Sequence, residues 1–348
     1  MKNRLLSFLL FLFVITSLQA QDKAKYAKVT VAFYNLENLF DTIDGPNKDE
    51  EFLPNGANAW TEERYREKLH HMASVISQIG SDKGPDIIGV CEIENIKVLE
   101  DLIAQPELKG YGYSIVHYDS PDARGIDCAL LYKVSVFKLL SSKAHAVNIP
   151  GEPNVKTRDV LEASGTILGD KFHFLVAHWP SRAGGEQISL NRRMAAARVM
   201  KSVSDSVVNH DASAKVILMG DFNDDPVSPS IKRGLQTKDT PENLAALDLF
   251  NPMTSLYRKG IGTLAYRDVW NLFDNLVVNG NLIGSDYTTF KVLQDKKSGE
   301  YAHVFNSEFL RQQRGHFKGY PFRTFAGGQY QGGYSDHFPV YLYIVKKI

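Results

Sequence analysis

Short apolar runs bounded by polar turns recur along nearly the whole chain, at Val29–Asn35, Asp86–Cys91, Asp127–Tyr132, Phe172–Ala177, Lys215–Met219, Asn275–Val278 and Val340–Val345. Runs of this length and content read as buried strands. Two longer stretches have helical period. The first follows Thr61, an N-cap candidate with Glu62 and Glu63 behind it, and its stripe is Tyr65, Leu69, Met72, Ile76 and Ile79. The second runs from about Ile188 to Val208, with Leu190, Met194, Ala197, Met200, Val203 and Val207 on the expected inner face. Strands interleaved with such helices predict an α/β fold in which helices cover sheets. No repeat or Gly/Ser linker divides the chain, so residues 21–348 are expected to form a single domain.

Residues 1–20 are set apart from that fold. Lys2 and Arg4 precede the apolar stretch Leu5–Leu18, and Ser17-Leu18-Gln19-Ala20 resembles a cleavage site, the pattern of a secretory signal peptide. The apolar run is short of the roughly 20 residues a retained membrane helix needs. No cysteine follows the cleavage site to carry a lipid. The mature chain is therefore expected in the periplasm or outside the cell, with no obligate protein partner evident. Losing Lys2 and Arg4 from 40 basic and 40 acidic residues leaves a net charge of −2, so attraction to a polyanion has to be local. Cys91 and Cys128 fall inside strands and are read as inert core thiols in preference to a disulfide, although the compartment permits one.

Polar residues capable of chemistry gather where strands end. Gly220-Asp221-Phe222-Asn223 follows one strand, Ala177-His178-Trp179-Pro180-Ser181-Arg182 another, and Ser335-Asp336-His337 precedes a third. Asn35-Leu36-Glu37-Asn38 and Cys91-Glu92-Ile93-Glu94-Asn95 fit the same scheme. A single Asp and Asn after a strand is commonly only a turn; independent turns would seldom repeat it so often. The oxygen donors suit Mg²⁺, with Mn²⁺ or Ca²⁺ as alternatives, and the Cys/His spacings of zinc sites are absent. Glu94 and Asn95 fit a helix cap better than a site.

In order, Asn35, Glu92, His178, Asp221 with Asn223, Asp274, and Asp336 with His337 resemble the motif series of the endonuclease/exonuclease/phosphatase, or DNase I-like, superfamily, from Val29 to Val345. The resemblance implies a four-layer α/β/β/α sandwich, two packed mixed sheets flanked by helices, with the site at one edge. It implies Glu92 as main metal ligand, helped by Asn35, Glu37 and Asp336. It implies that Asp221 orients or deprotonates water, Asn223 stabilises the pentacovalent phosphorus, His178 and His337 contact phosphate or protonate the leaving group, and Asp274 orients His337.

Arg124, Arg158 and Arg182 are candidate phosphate binders because a guanidinium fork matches phosphate oxygens. Asp127 is a candidate partner for His178. Cys91-Glu92 stands where better-known members carry Gln-Glu, and the His-Trp-Pro-Ser-Arg and Arg-Gly-Ile-Asp segments look most like the bacterial extracellular-nuclease branch. Three stretches read as loops: Thr42–Ala59, Ser141–Lys156 and the aromatic, basic segment Gln294–Tyr334. The expected activity is hydrolysis of phosphodiester bonds in nucleic acid. A phosphatase or phosphodiesterase for a small phosphoester is the alternative, and a binding protein that kept the fold is the remote one.

Overall fold

The computed structural model describes residues 25–348. The expected signal peptide at 1–20 lies outside them. The first sheet holds β1 (Tyr26–Leu39), β2 (Ile87–Ile93), β3 (Tyr113–His117), β4 (Asp127–Lys133) and the C-terminal strand β10 (Val340–Lys347), with two short strands at Lys291–Val292 and His303–Val304 against β10. The second is built on β5 (Lys138–His145), β6 (Val160–Ile167), β7 (Asp170–His178), β8 (Lys215–Asp221) and β9 (Asp274–Asn279), and is extended by Leu249–Phe250 and Thr237–Lys238. Each is a mixed, seven-stranded sheet. Each has a parallel pair, β1 with β2 and β7 with β8, flanked by antiparallel neighbours. A parallel pair needs a crossover, which the helices α1 (Glu62–Ile76) and α3 (Glu186–His210) supply.

The layers follow from which side of each strand is apolar. Val31 and Phe33 of β1 meet Phe172, Phe174 and Val176 of β7 and Ile217 and Met219 of β8 between the sheets. Alternate residues Ala32 and Tyr34 face outward onto Leu69, Met72 and Ile76 of α1. On the far side Leu175, Val216 and Leu218 pack on Ala196 and Met200 of α3. The chain is thus the α/β/β/α sandwich expected. Gly89 leaves room for Met219 between the sheets, since a Cβ there would sit 2.6 Å from the Met219 sulfur.

Thr61 caps α1 through its hydroxyl, which accepts from the Arg64 amide, and the predicted stripe Tyr65 to Ile79 is buried throughout. Asn95 caps the helix α2 (Ile96–Ile103) by accepting from the Val98 amide, as read from the sequence. The inner face of α3 is turned from the one expected, keeping only Ala197 and Met200 of the predicted stripe fully buried. Leu190, Met194, Val203 and Val207 are only half-buried, while Ser189, Arg193, Ala196, Ala197, Met200, Ser204 and Val208 face inward. Small residues let the helix lie close to β8, and the ion pair of Arg193 draws its turn inward. Part of the loop predicted at Ser141–Lys156 is the strand β5. That edge strand is mostly exposed, so it carries none of the apolar signal that marks an inner strand.

Candidate active site

Backbone register brings the polar strand ends together before any side chain is considered. In the second sheet His178 pairs in register with Asp221 across β7 and β8, and Asp221 with Asp274 across β8 and β9. Asn35 and Glu92 lie at the same end of the first sheet, and Asp336 and His337 lead directly into β10 beside β1. The sheets are stitched across the core by Asn35, whose Nδ2 donates to Asp221 Oδ2 at 3.1 Å. Gly220 is required here, because a Cβ would lie 2.0 Å from the carbonyl oxygen of Ala177.

Local backbone strain aims several of these groups. Glu37, Asn38, Glu92 and Asn223 have φ of 48°, 53°, 58° and 50°, in the left-handed region that non-glycine residues seldom occupy. The ladder slips at Asn35/Leu39 in β1 and at Cys91/Ile93 in β2. A bulge re-aims the side chain it carries, and such strain concentrates at functional sites. Glu92 is thereby turned toward the sheet edge, where Oε2 accepts from the Asn38 amide at 3.1 Å and Oε1 lies 3.8 Å from both His178 Nε2 and Arg124 Nη2.

Asp221 is the hub. Its Oδ1 accepts from the Asn223 amide at 2.9 Å, and its Oδ2 lies 3.6 Å from His178 Nε2 and 3.8 Å from His337 Nε2. Burial, partly offset by His337 and reinforced by Asp274, raises its carboxyl to about 7. His337 donates through Nδ1 to Asp274 Oδ2 at 2.7 Å. Burial alone would lower its imidazole, but Asp274, Asp221 and Asp336 outweigh that and hold it well above the ordinary histidine range. His178 goes the other way: burial, then Arg158 and Arg124, push it well down, so it is neutral. Two imidazoles flanking one carboxylate thus differ in charge, which separates a proton donor from a neutral hydrogen-bonding group. The Asn223 carboxamide donates to the Trp179 carbonyl at 2.9 Å, fixing its plane beside Asp221.

The third group is acidic. Glu37 is buried, accepts from the Thr324 amide at 2.7 Å, and lies 3.9 Å from the buried Lys68 ammonium. Burial and the charge of Asp336 raise it to about 7, against the opposing pull of Lys68 and Arg323. Asp336 is paired with Arg323, whose Nε is 3.7 Å from Glu37 Oε1. Glu37 and Asp336, whose charges act on each other, and Glu92, whose charge reaches Lys68 and Arg323, are hard oxygen donors of the kind a divalent metal takes, although their oxygens do not all lie within 4.8 Å of one another. Asn35 has its carboxamide oxygen engaged by the Glu37 amide at 2.9 Å and its nitrogen by Asp221.

Among the described residues the tightest set of metal-capable donors is another one, His117, Asp119 and Asp127, whose ligand atoms lie within 4.8 Å of one another. This His/Asp cluster can in principle coordinate a divalent metal. It also corrects the partner expected for His178. Asp127 takes His117 Nε2 at 3.0 Å and the Ser120 amide at 2.8 Å, while His178 Nδ1 is buried without a partner.

The three arginines separate by what already holds them. Arg158 is buried, with Nε on the His178 carbonyl at 3.1 Å, Nη2 on the Trp179 carbonyl at 2.7 Å and Nη1 on Asp122 at 2.8 Å. It braces the His178 strand end, and the expected phosphate contact is not available to it. Arg182 is largely engaged as well, donating to the Asn223 carbonyl, Asp224 and Asp225, with its cation over the Phe273 ring. Arg124 is different, since its side chain is 55% exposed and reaches no closer than 3.8 Å to Glu92, which leaves its fork for a ligand.

Lys68, Arg193, Asp224 and Arg323 were not singled out from the sequence. Lys68 had a signal, a charge three residues after Tyr65 on the apolar stripe of α1. Arg323 had none, because only the return of the long loop brings it to Asp336.

Two sheets with a buried His/Asp/Asn/Glu cluster at one edge define a phosphoesterase-type hydrolase. The sequence pattern of the Endonuclease/Exonuclease/phosphatase family matches residues 30–346, and the chain belongs to that family. No curated protein matches it by sequence. Its fold is similar to that of D. rerio TDP2 complexed with single-strand DNA product (TM-score 0.54, 13% identity, 91% of this chain and 99% of that one). It is similar too to the human Nocturnin catalytic domain with bound sulfate (0.53, 16%, 93% and 98%). A Bacteroides thetaiotaomicron mannosyl-6-phosphatase is a third such structure (0.52, 16%, 91% and 99%).

Asp274→Asn keeps the shape of the His337 contact and removes its charge. It is expected to lower kcat about 10- to 100-fold with an unchanged melting temperature, read from steady-state kinetics beside a thermal melt.

Proposed function

We propose that this protein is a divalent-metal-dependent phosphodiesterase acting on nucleic acid, with water delivered to phosphorus by Asp221. The observation that carries the reading is the convergence on one buried carboxylate of Asn35, Asn223, His178 and His337. With its carboxyl raised by burial, Asp221 is a stronger proton acceptor than a surface aspartate. His337, charged and held by Asp274, is placed to neutralise a phosphate oxygen or protonate the departing one, and neutral His178 and Asn223 offer hydrogen bonds. Glu92, Glu37 and Asp336 would hold a divalent cation, which supplies positive charge against the phosphate. Arg124, unoccupied at the rim, would take a second phosphate oxygen.

Nucleic acid is favoured by the aromatic and basic loop around Phe305–Arg323 beside this centre, since bases stack on aromatics while cations follow phosphates. The likeness of the His178–Arg182 and Arg124–Asp127 segments to bacterial extracellular nucleases, and the leader-like residues 1–20, support action outside the cytoplasm. Among the described residues no helix is long and apolar enough to cross a membrane. A small phosphoester is the second reading, favoured by the limited cavity of about 510 Å³ next to Asp336.

Purified protein is expected to cut plasmid and single-stranded DNA with Mg²⁺ or Mn²⁺, to stop in EDTA and to recover when Mg²⁺ is restored. Phosphate release from nucleotide or sugar monoesters, with DNA left intact, would establish the second reading instead.

A further inference from the structure

The cavity beside Asp336 adjoins the catalytic cluster, sharing Asp336 and Arg323 with it, and extends away from it. One wall is a hairpin of two short strands, Leu264–Tyr266 and Val269–Asn271, whose turn residues Arg267 and Asp268 have φ of 50° and 61°. Positive φ at both central positions is the geometry of a tight type I′ turn, so the hairpin is a stiff element. The other wall is the long loop, through Phe317, Tyr320 and Pro321, and Arg323 and Asp336 lie on the side of the catalytic centre.

Its aromatic groups are unusual in being left wet. Tyr266 is 63% exposed and Phe317 54%, and Trp270, on the same hairpin but outside the cavity lining, 37%. They are nevertheless held in place: Trp270 meets Tyr320 edge-on at 5.6 Å and stacks on Phe338, Phe317 meets Tyr320 at 5.5 Å, and the Tyr320 hydroxyl donates to Asp268 at 2.6 Å. Arg267 lies over the Tyr266 ring at 5.1 Å. Rigid, exposed, clustered rings beside a reaction centre mark a surface that something else covers.

We propose that this cavity is a nucleobase pocket, holding the single base of the nucleotide whose phosphate is attacked. The inference rests on the phosphoesterase reading of the adjoining site and narrows its substrate class. Flat rings and a guanidinium plane suit a flat heterocycle, which gains by stacking whatever its identity. A monosaccharide fits less well. Its ring of hydroxyls needs many donors and acceptors, and Ala265, Ala326, Pro321, Tyr266 and Phe317 offer the walls mainly carbon, so buried hydroxyls would go unpaired. Gln312 and Asp268 supply a few polar contacts for a base edge. A volume of about 510 Å³ accommodates one nucleoside rather than a stack of bases.

The test is an equilibrium titration of tryptophan fluorescence, in EDTA to prevent turnover, with adenosine 5′-monophosphate, ribose 5-phosphate and mannose 6-phosphate. All three carry the same phosphate, so differences report the group attached to it. Adenosine 5′-monophosphate is expected to bind at least about tenfold more tightly than either sugar phosphate. Tyr266→Ala and Phe317→Ala, both at exposed positions, are each expected to weaken it about five- to hundredfold and leave ribose 5-phosphate unchanged. Equal binding of the three, tighter binding of mannose 6-phosphate, or unaltered affinity in both variants would overturn the pocket. Separate outcomes distinguish it from the catalytic reading. A protein that prefers the nucleotide yet hydrolyses no phosphoester with Mg²⁺ refutes only the latter. Cleavage of an oligonucleotide lacking the base at the cut position as fast as the intact one refutes only the pocket.

Discussion

Replacing Asp221 with asparagine is expected to lower kcat for DNA cleavage by about 10²- to 10⁴-fold while leaving the protein folded, because it removes the one carboxylate on which both imidazoles converge. The substitution keeps the size of the group and an oxygen for the Asn223 amide, while Asn35 Nδ2 loses its acceptor. The same variant should be more stable than the parent in EDTA at alkaline pH. Burial raises the folded-state carboxyl from 3.8 to about 7, so between those values the folded protein holds a proton that the unfolded chain has released. Stability therefore falls as pH rises through that window, and asparagine removes the fall. With the carboxyl raised that far, an advantage of up to about 4 kcal/mol is expected above pH 7, shrinking to nothing toward pH 3.8, in urea melts at several pH values. An unchanged kcat would show that water is activated elsewhere. An advantage that grows toward acid would show that Asp221 is not a costly buried charge.

Asp224→Ala should act on the fold itself. Asp224 Oδ2 accepts from Arg193 Nε at 2.6 Å with both side chains essentially sealed from solvent, and Asp224 also takes Ser230 Oγ and Arg182. Removing the carboxylate leaves the Arg193 guanidinium buried between α3 and β8 with only Ser189 Oγ and backbone carbonyls for company. Stranding one partner of a buried pair costs about 3–5 kcal/mol, visible as a lower urea midpoint. Because Arg182 also holds the Asn223 carbonyl, part of the activity should go with it. The double variant Arg193→Met/Asp224→Ala removes both charges and should recover much of the lost stability. If the single and double variants are equally unstable, the damage lies in lost packing.

The inner strands, the helix α1 with its Thr61 cap, and the residues at the strand ends were legible in the sequence. Each depends on neighbours close along the chain: apolar alternation marks a strand, a 3.6-residue stripe marks a helix, and Asp221, His178 and Asp274 are where they are because apolar runs stop beside them. Edge strand β5 and the inner face of α3 were not legible, since an edge strand keeps its polar residues in water and Arg193 is tolerable inside only because Asp224 meets it from another element. What the arginines do could not be read locally at all. Arg158 and Arg124 look alike in the sequence, yet Arg158 is bound by two carbonyls from β7 and its following turn, while the Arg124 side chain, half exposed, has only Glu92 at 3.8 Å among the described residues.

The sequence by itself determined the layers and delivered the chemical groups, because periodicity and turn residues act over a few positions. Only the tertiary structure decided which groups meet. Asn35 lies 186 residues from Asp221 and Glu37 lies 287 from Thr324, and contacts at such separations are set by sheet register and packing. The charge state of the two imidazoles was decided the same way, since burial and neighbouring cations make His178 neutral while Asp274 and Asp221, carboxylates far along the chain, make His337 a cation.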